Sequence, residues 1–256
     1  MNLPLGARLW IADAPKDPKG MILICPGGGY QWLSPREAQP VAHAFTAAGW
    51  AAAVVYYTIR EKPGQPPLGT LPVRQLGEAL QTMQQRFPAL SALVCGFSAG
   101  GHLTAHYANA FDWPEVRAVF PDSKGVQGTI LCYPVITADP AWAHLGSIDA
   151  LTGKTERTSE EIQKFSCEKL VTDHTPSAFL WHTAADGGVP VMNSLLYAQA
   201  LAAHRIPFEL HVYPEGEHGL ATSDARTLDK VLPEHEYVHA WLDCAKKWLH
   251  ITLKQA

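Results

Sequence analysis

Seven short apolar runs recur along the chain, at 8–11, 21–25, 51–57, 92–96, 129–133, 178–182 and 209–213. Most are continuously apolar rather than alternating, as expected of strands covered on both faces in a parallel sheet. Helix-patterned stretches separate them. Ser34-Pro35-Arg36-Glu37 offers an N-cap, a proline at N1 and a glutamate at N3, for a helix that would stop near Gly49. A second helix is expected at 72–87, halted by Pro88, and others at 99–110, 191–204 and 233–249. Strands alternating with helices predict an α/β fold with a mostly parallel central sheet flanked by helices. Residues 137–175 break the rhythm: they are polar, carry Trp142, and show a short helical stretch from about Ser159. They are expected to form a small cap over the carboxyl edge of the sheet, where ligands bind in such folds. At 256 residues, a single domain at 1–256 is expected, with this cap as an excursion.

Composition narrows the function classes. A net charge of −4 gives no basic field for nucleic acid and no polybasic patch for a membrane surface. No apolar run approaches the ~20 residues that span a bilayer. The first residues, Met1-Asn2-Leu3-Pro4-Leu5-Gly6-Ala7-Arg8, do not read as a signal peptide. The five cysteines (Cys25, Cys95, Cys132, Cys167, Cys244) are odd in number and scattered, and three fall inside predicted strands. Buried free thiols and a cytoplasmic, disulfide-free protein are the expectation. The oligomeric state is not legible.

Directly after the run at 92–96 the chain reads Gly96-Phe97-Ser98-Ala99-Gly100, and a helical pattern follows. A serine at a strand-to-helix turn is held in a strained conformation with its hydroxyl exposed, and glycine is wanted two residues to either side. Chance alone yields G-x-S-x-G in roughly one chain in twenty of this size and composition, so context must carry the case.

A serine hydroxyl needs a base, a group to orient the base, and donors for the oxyanion that forms on attack. Pro26-Gly27-Gly28-Gly29-Tyr30 follows the run at 21–25, and its glycines expose backbone N–H groups. With the N–H of Ala99 they can form the donor set. A phosphate-binding loop would need Gly-Lys-Ser/Thr to follow these glycines, and none does; a bare structural turn remains the other reading. Asp186 lies just past the run at 178–182, in Thr183-Ala184-Ala185-Asp186-Gly187-Gly188-Val189-Pro190. Asp139, Asp149 and Asp173 fall in the cap and are poorer candidates. Of twelve histidines, His218 alone follows the last strand in a glycine-bracketed loop, Gly216-Glu217-His218-Gly219. The order Ser98, Asp186, His218 is the hydrolase order of serine, acid, histidine.

Two other histidine patterns compete with this reading. His235-Glu236-Tyr237-Val238-His239 matches the zinc-binding H-E-x-x-H, but no later glutamate supplies a third ligand and Leu242 stands where the extended motif has glycine. His102 and His106, four apart on the helix after Ser98, have no evident acidic partner and read as packed residues. No metal and no cofactor are expected.

On these motifs the chain resembles the α/β-hydrolase superfamily, and within it the short-chain acetyl esterases and xylan-esterase-like carbohydrate esterases. The likeness runs from Met21 to about Leu220, through Cys25-Pro26-Gly27-Gly28-Gly29-Tyr30, Gly96-Phe97-Ser98-Ala99-Gly100-Gly101-His102-Leu103, Trp181-His182-Thr183 and Gly216-Glu217-His218-Gly219. Hormone-sensitive-lipase-like relatives place histidine where Pro26 stands, which favours the acetyl-esterase branch. The resemblance implies Ser98 as nucleophile, His218 as base, Asp186 as orienter, and Gly28, Gly29 and Ala99 as oxyanion donors. Tyr30, Trp32 and Trp142 are expected to bind substrate, and Trp181 lies beside the same mouth. The implied activity is hydrolysis of short acyl esters, acetyl foremost, on sugars or oligosaccharides as small-molecule partners. Alternatives are an amide hydrolase (an arylformamidase or small peptidase) and a non-catalytic binding protein on this scaffold. With 97 residues before Ser98 no prolyl-oligopeptidase propeller is expected, and a dienelactone-hydrolase type would carry cysteine at Ser98.

Overall fold

A computed structural model describes residues 1–62, 64–118, 120–121 and 125–254. The strands are β1 (Arg8–Ile11), β2 (Met21–Cys25), β3 (Ala51–Tyr56), β4 (Ala92–Phe97), β5 (Gly128–Cys132), β6 (Ser177–Thr183) and β7 (Phe208–Tyr213). They form one sheet in the order β1-β3-β2-β4-β5-β6-β7, in which only β1 runs antiparallel.

The apolar runs are continuous because the two faces of the sheet meet two different cores. Met21, Leu23 and Cys25 join one cluster with α2 (Leu71–Arg86) and α3 (Ala99–Ala110), while Ile22 and Ile24 join the other. That second face is covered by α1 (Gln39–Ala47) and by α8 (Pro233–Lys254), through Phe45, Trp241 and Leu249. A third cluster packs Leu131 and Leu180 under α7 (Met192–Ala203). The period-two alternation of a strand thus sends neighbouring residues to opposite helix layers, so both must be apolar. The five cysteines are free thiols, and all but Cys244 are buried.

The expected single helix from Ser34 to Gly49 is two pieces. A 3-10 turn at Pro35–Glu37 ends at Ala38, whose φ of −103° and ψ of −109° break the path, and α1 then starts with Pro40 in its first turn. Pro40 has no N–H to give the carbonyl of Arg36, and its ring clashes with the preceding turn, so one helix cannot pass through it. Ser34 makes no side-chain cap, and Glu37 turns inward instead of capping.

Residues 137–175 hold α5 (Leu145–Thr152), α6 (Ser159–Phe165) and a 3-10 turn at Cys167–Lys169; α4 (Pro114–Arg117) precedes β5. The helix near Ser159 begins with a full capping box between Thr158 and Glu161. The segment is less polar in effect than its composition suggests. Ala138, Ile148, Leu151 and Phe165 are buried in the same cluster as α2 and α3. Among the described residues, no helix is long and apolar enough to cross a membrane.

Candidate active site

Ser98 caps α3 at the end of β4 with φ 52° and ψ −118°, a left-handed conformation that a β-carbon-bearing residue adopts only under constraint. Its backbone is pinned on both sides. The Ser98 N–H donates to Cys132 O at 3.0 Å, and Ser98 O accepts from His102 and Val135 at 3.1 and 3.0 Å. A β-carbon on Gly100 would collide with the carbonyls of Cys25 and Pro26, and one on Gly96 with Gly100 O and Thr104 Oγ1. Gly100 is required by the close passage of α3 past the end of β2, and Gly96 by the close passage of α3 over β4.

His218 and Asp186 reach Ser98 because β6 and β7 are sheet neighbours with their carboxyl ends on the same edge. His218 Nε2 lies 2.9 Å from Ser98 Oγ, and His218 Nδ1 lies 2.7 Å from Asp186 Oδ2. A carboxylate only accepts, so Nδ1–H donates to Asp186 and the bare Nε2 accepts from the serine hydroxyl. Gly188 gives the imidazole room: a β-carbon there would stand 3.0 Å from His218 Cβ.

The Asp186 side chain is buried and fully engaged. Oδ1 accepts the N–H groups of Gly188 and Val189 at 2.8 and 2.9 Å, and Oδ2 is shared by His218 and by His182 Nε2 at 3.2 Å. Burial works to raise its pKa, but the hydrogen bonds from His182, His218 and Val189 outweigh it and hold the carboxyl well below the usual carboxylate range. His182 is fully buried, and its Nε2–H also reaches Val189 O at 3.0 Å. Its Nδ1 must therefore accept from Ser194 Oγ, 2.8 Å away.

The glycine loop closes on itself, with Gln31 and Trp32 N–H donating to Gly28 O and Ser34 N–H donating to Gly27 O. Gly28 and Gly29 have φ of +124° and +64°, and a β-carbon on Gly28 would strike Trp32 O. Among the described residues, neither the Gly28 nor the Gly29 N–H meets a protein acceptor. With Ala99 N–H at the start of α3, these groups are the candidate oxyanion donors.

A cleft of about 450 Å³ opens at Ser98 and His218, lined by Gly28, Gly29, Gln31, Trp32, Ser34, Arg36, Glu37, His144, Gly146 and Gly219. Of the residues expected to bind substrate, Trp32 lies here, with 54% of its surface exposed. Tyr30 does not line the cleft. It is buried, and its hydroxyl donates to His102 Nδ1 at 2.9 Å, so it anchors the glycine loop from beneath. Trp142 is exposed outside the lining, and its carbonyl accepts from Asn193. Trp181 is fully buried and stacks on Trp241. An indole at a strand end can face the core or the mouth, and only the register of β6 decides which.

Three residues beside the Ser98–His218–Asp186 cluster are not marked as site residues by the sequence motifs. His182 lies within Trp181-His182-Thr183, and no pattern there sets it apart. Glu37 was read as a helix cap; it is buried and accepts from Gly27 N–H at 2.8 Å and Tyr133 O–H at 2.7 Å. His144 caps α5 with its ring, its Nδ1 accepting from the Ser147 N–H, and nothing in its local sequence marks it among twelve histidines. The H-E-x-x-H histidines diverge: His235 Nε2 faces Glu217 at 3.1 Å, and His239 Nδ1 donates to Thr222 O at 2.6 Å. No group of three metal-ligating side chains occurs among the described residues.

Comparison with known proteins is consistent with this geometry. Residues 67–244 match the profile of the prolyl oligopeptidase family. The chain is 35% identical over 212 residues to an endo-1,4-beta-xylanase B of Butyrivibrio fibrisolvens, covering 79% of this chain and 33% of that protein. It is 30% identical over 226 residues to an acetylxylan esterase of Xylanibacter ruminicola, covering 84% of this chain and 44% of the other. It therefore spans between a third and a half of the length of these curated relatives. Among solved structures, it resembles an acetyl ester-xyloside bifunctional hydrolase of Caldicellulosiruptor lactoaceticus (31% identity, TM-score 0.79, covering 96% of this chain and 88% of that one). It also resembles a sugar hydrolase of Lactococcus lactis (30% identity, TM-score 0.81, 100% and 98% covered). With the sheet, the strand-to-helix turn at Ser98 and the family profile in agreement, the chain belongs to the prolyl oligopeptidase family and has the α/β-hydrolase fold.

Proposed function

We propose that this hydrolase is a serine carboxylesterase that removes short acyl groups, acetyl foremost, from carbohydrate. The observation that carries the reading is the continuous relay Ser98 Oγ–His218–Asp186, at 2.9 and 2.7 Å. Ser98 Oγ attacks the ester carbonyl carbon while its proton passes to His218 Nε2. The carbonyl oxygen becomes an oxyanion against the N–H groups of the Gly28–Gly29 loop and Ala99. Asp186, ionised and held by four donors, stabilises the imidazolium that forms. The imidazolium then protonates the departing sugar alkoxide, leaving an acyl-Ser98 ester, and water repeats the sequence to release the acid and restore the serine.

The carbohydrate side is supported by the relatives named as an acetylxylan esterase and an acetyl ester-xyloside hydrolase. The cleft is consistent with it: Trp32 offers an exposed ring for a sugar face, and Gln31, Arg36 and His144 offer donors for hydroxyl groups. We read 137–175 as the cap of this site, since it supplies His144 and Gly146 to the rim. The family match also keeps an amide hydrolase in view. Acetate release from acetylated xylo-oligosaccharides, measured beside cleavage of p-nitroanilides, tests the reading. Acetate release that vanishes in Ser98→Ala supports it; anilide cleavage with no acetate release overturns it.

A further inference from the structure

Among the described residues, Glu37 is the one carboxylate lining the cleft, and the relay leaves it unused. It is 3% exposed, and each oxygen accepts one hydrogen bond: Oε2 from Gly27 N–H at 2.8 Å and Oε1 from Tyr133 O–H at 2.7 Å. Tyr133 Oη in turn accepts the N–H of Ala221 at 2.9 Å, three residues beyond His218. The Tyr133 ring packs edge-on against the His218 imidazole, with centroids 4.9 Å apart. Gly27 is wedged against the same group: a β-carbon there would lie 2.8 Å from both Glu37 Oε2 and Ser98 Cβ.

The direction of these bonds matters. From Ala221 N–H to Tyr133 and from Tyr133 O–H to Glu37 the donors run one way, and Gly27 N–H donates from the other side. With the tyrosine hydroxyl donating, both Glu37 oxygens serve as acceptors, as those of a carboxylate do; an amide in its place must turn its NH2 toward either the Gly27 N–H or the tyrosine hydroxyl. Burial raises the pKa of Glu37, while Tyr133, Gly27, His218 and Arg36 work to lower it.

We propose that Glu37 is a positioning residue: its carboxylate ties the oxyanion loop at Gly27 to the histidine loop at Ala221, through Tyr133, and so registers both against Ser98. The proposal rests on the reading of Ser98 as nucleophile. It places in one buried side chain the alignment of two catalytic parts carried by loops after β2 and β7.

The experiment compares wild type with Glu37→Gln and Tyr133→Phe. It measures kcat and KM on p-nitrophenyl acetate, the rate of labelling by a fluorophosphonate, and the fraction labelled at completion. Glu37→Gln is expected to lose about 10- to 100-fold in kcat with KM within about threefold, because the hole acts on the transition state. Labelling should slow in parallel, since phosphonylation uses the same hole, and the final labelled fraction should match wild type. Tyr133→Phe should lose a smaller factor of the same kind, and the two losses should not multiply in the double variant. A kcat for Glu37→Gln within about twofold of wild type overturns the proposal, as does a loss accounted for entirely by a smaller labelled fraction. Should Glu37→Gln fail to fold, Tyr133→Phe decides: a kcat loss at full labelling supports the proposal and an unchanged kcat overturns it. A wild type that does not label at Ser98 removes the nucleophile reading itself, and the proposal with it.

Discussion

His182 Nε2 and His218 Nδ1 converge on one oxygen of Asp186, at 3.2 and 2.7 Å. The acid of the relay is therefore held from behind by a second, fully buried imidazole. His182→Leu removes that donor and the bond to Ser194, leaving buried groups unpaired at a cost of roughly 2–3 kcal/mol of stability. The carboxylate loses one of its four donors, so its pKa should rise and its orientation toward His218 loosen. We expect kcat/KM to fall about 10- to 100-fold, because a small misplacement of the base is costly. A kcat/KM within about twofold of wild type would show that His182 does not act through Asp186.

Ser98→Ala should abolish turnover, with a loss on the order of 10⁶ in kcat, yet leave the fold intact because the bonds pinning residue 98 come from its backbone. Ser98→Gly should melt at a higher temperature than Ser98→Ala, since glycine tolerates φ 52° and alanine carries strain of about 1 kcal/mol or more there. Retention of more than about a hundredth of wild-type activity by either variant would misplace the nucleophile.

Stability should fall with acid through His102. Its Nε2–H donates to Phe165 O at 2.9 Å and its Nδ1 accepts from Tyr30, so the folded protein binds the neutral ring. Burial lowers its pKa to about 4, against an ordinary value near 6.5. Between those two pH values the unfolded chain binds the proton and the folded chain does not. Stability is thus full above about pH 6.5 and loses about 3 kcal/mol by pH 4. His106, buried beside it and also lowered, acts in the same direction. The unfolding free energy of His102→Asn, followed against pH, should show a shallower slope over this window; an identical slope would acquit His102.

Acyl preference should be for short chains. Among the lining residues Trp32 is the one large apolar side chain, beside Gln31, Arg36, Glu37 and His144. An acyl chain extended into such a lining gains little of the ~0.8 kcal/mol per methylene that an apolar groove would return. Across p-nitrophenyl esters from two to twelve carbons, kcat/KM should not rise beyond about four carbons. Rates that climb through eight and ten carbons would mean an apolar channel opens from this cleft.

His239→Ala should stay active, and incubation with a chelator should leave the rate unchanged. His235 spends both ring nitrogens on the Leu232 N–H and Glu217, and His239 Nδ1 donates to Thr222 O, so the two rings serve different partners. Loss of activity on chelation, restored by zinc, would revive the H-E-x-x-H reading.

Local sequence determined the parts of this protein whose physics is local. Continuous apolar runs require cover on both faces, so a parallel sheet between helix layers was legible, with strand ends within a residue of those observed. The glycines around Ser98 announced a strained turn because no other residue fits beneath α3. Asp186 and His218 were legible as loop residues after successive strands. Only the tertiary structure decided what sits behind and around them. Glu37 looked like a helix cap until Pro40 broke the helix and turned its carboxylate inward to Gly27 and Tyr133. Tyr30 and Trp181 looked like mouth aromatics until the loop closure and the register of β6 buried them. His144 enters the cleft from a segment 46 positions beyond Ser98, placed by the docking of α5. Burial and partnership of these residues arise from segments distant in sequence, and the local pattern around each does not mark which others it will meet.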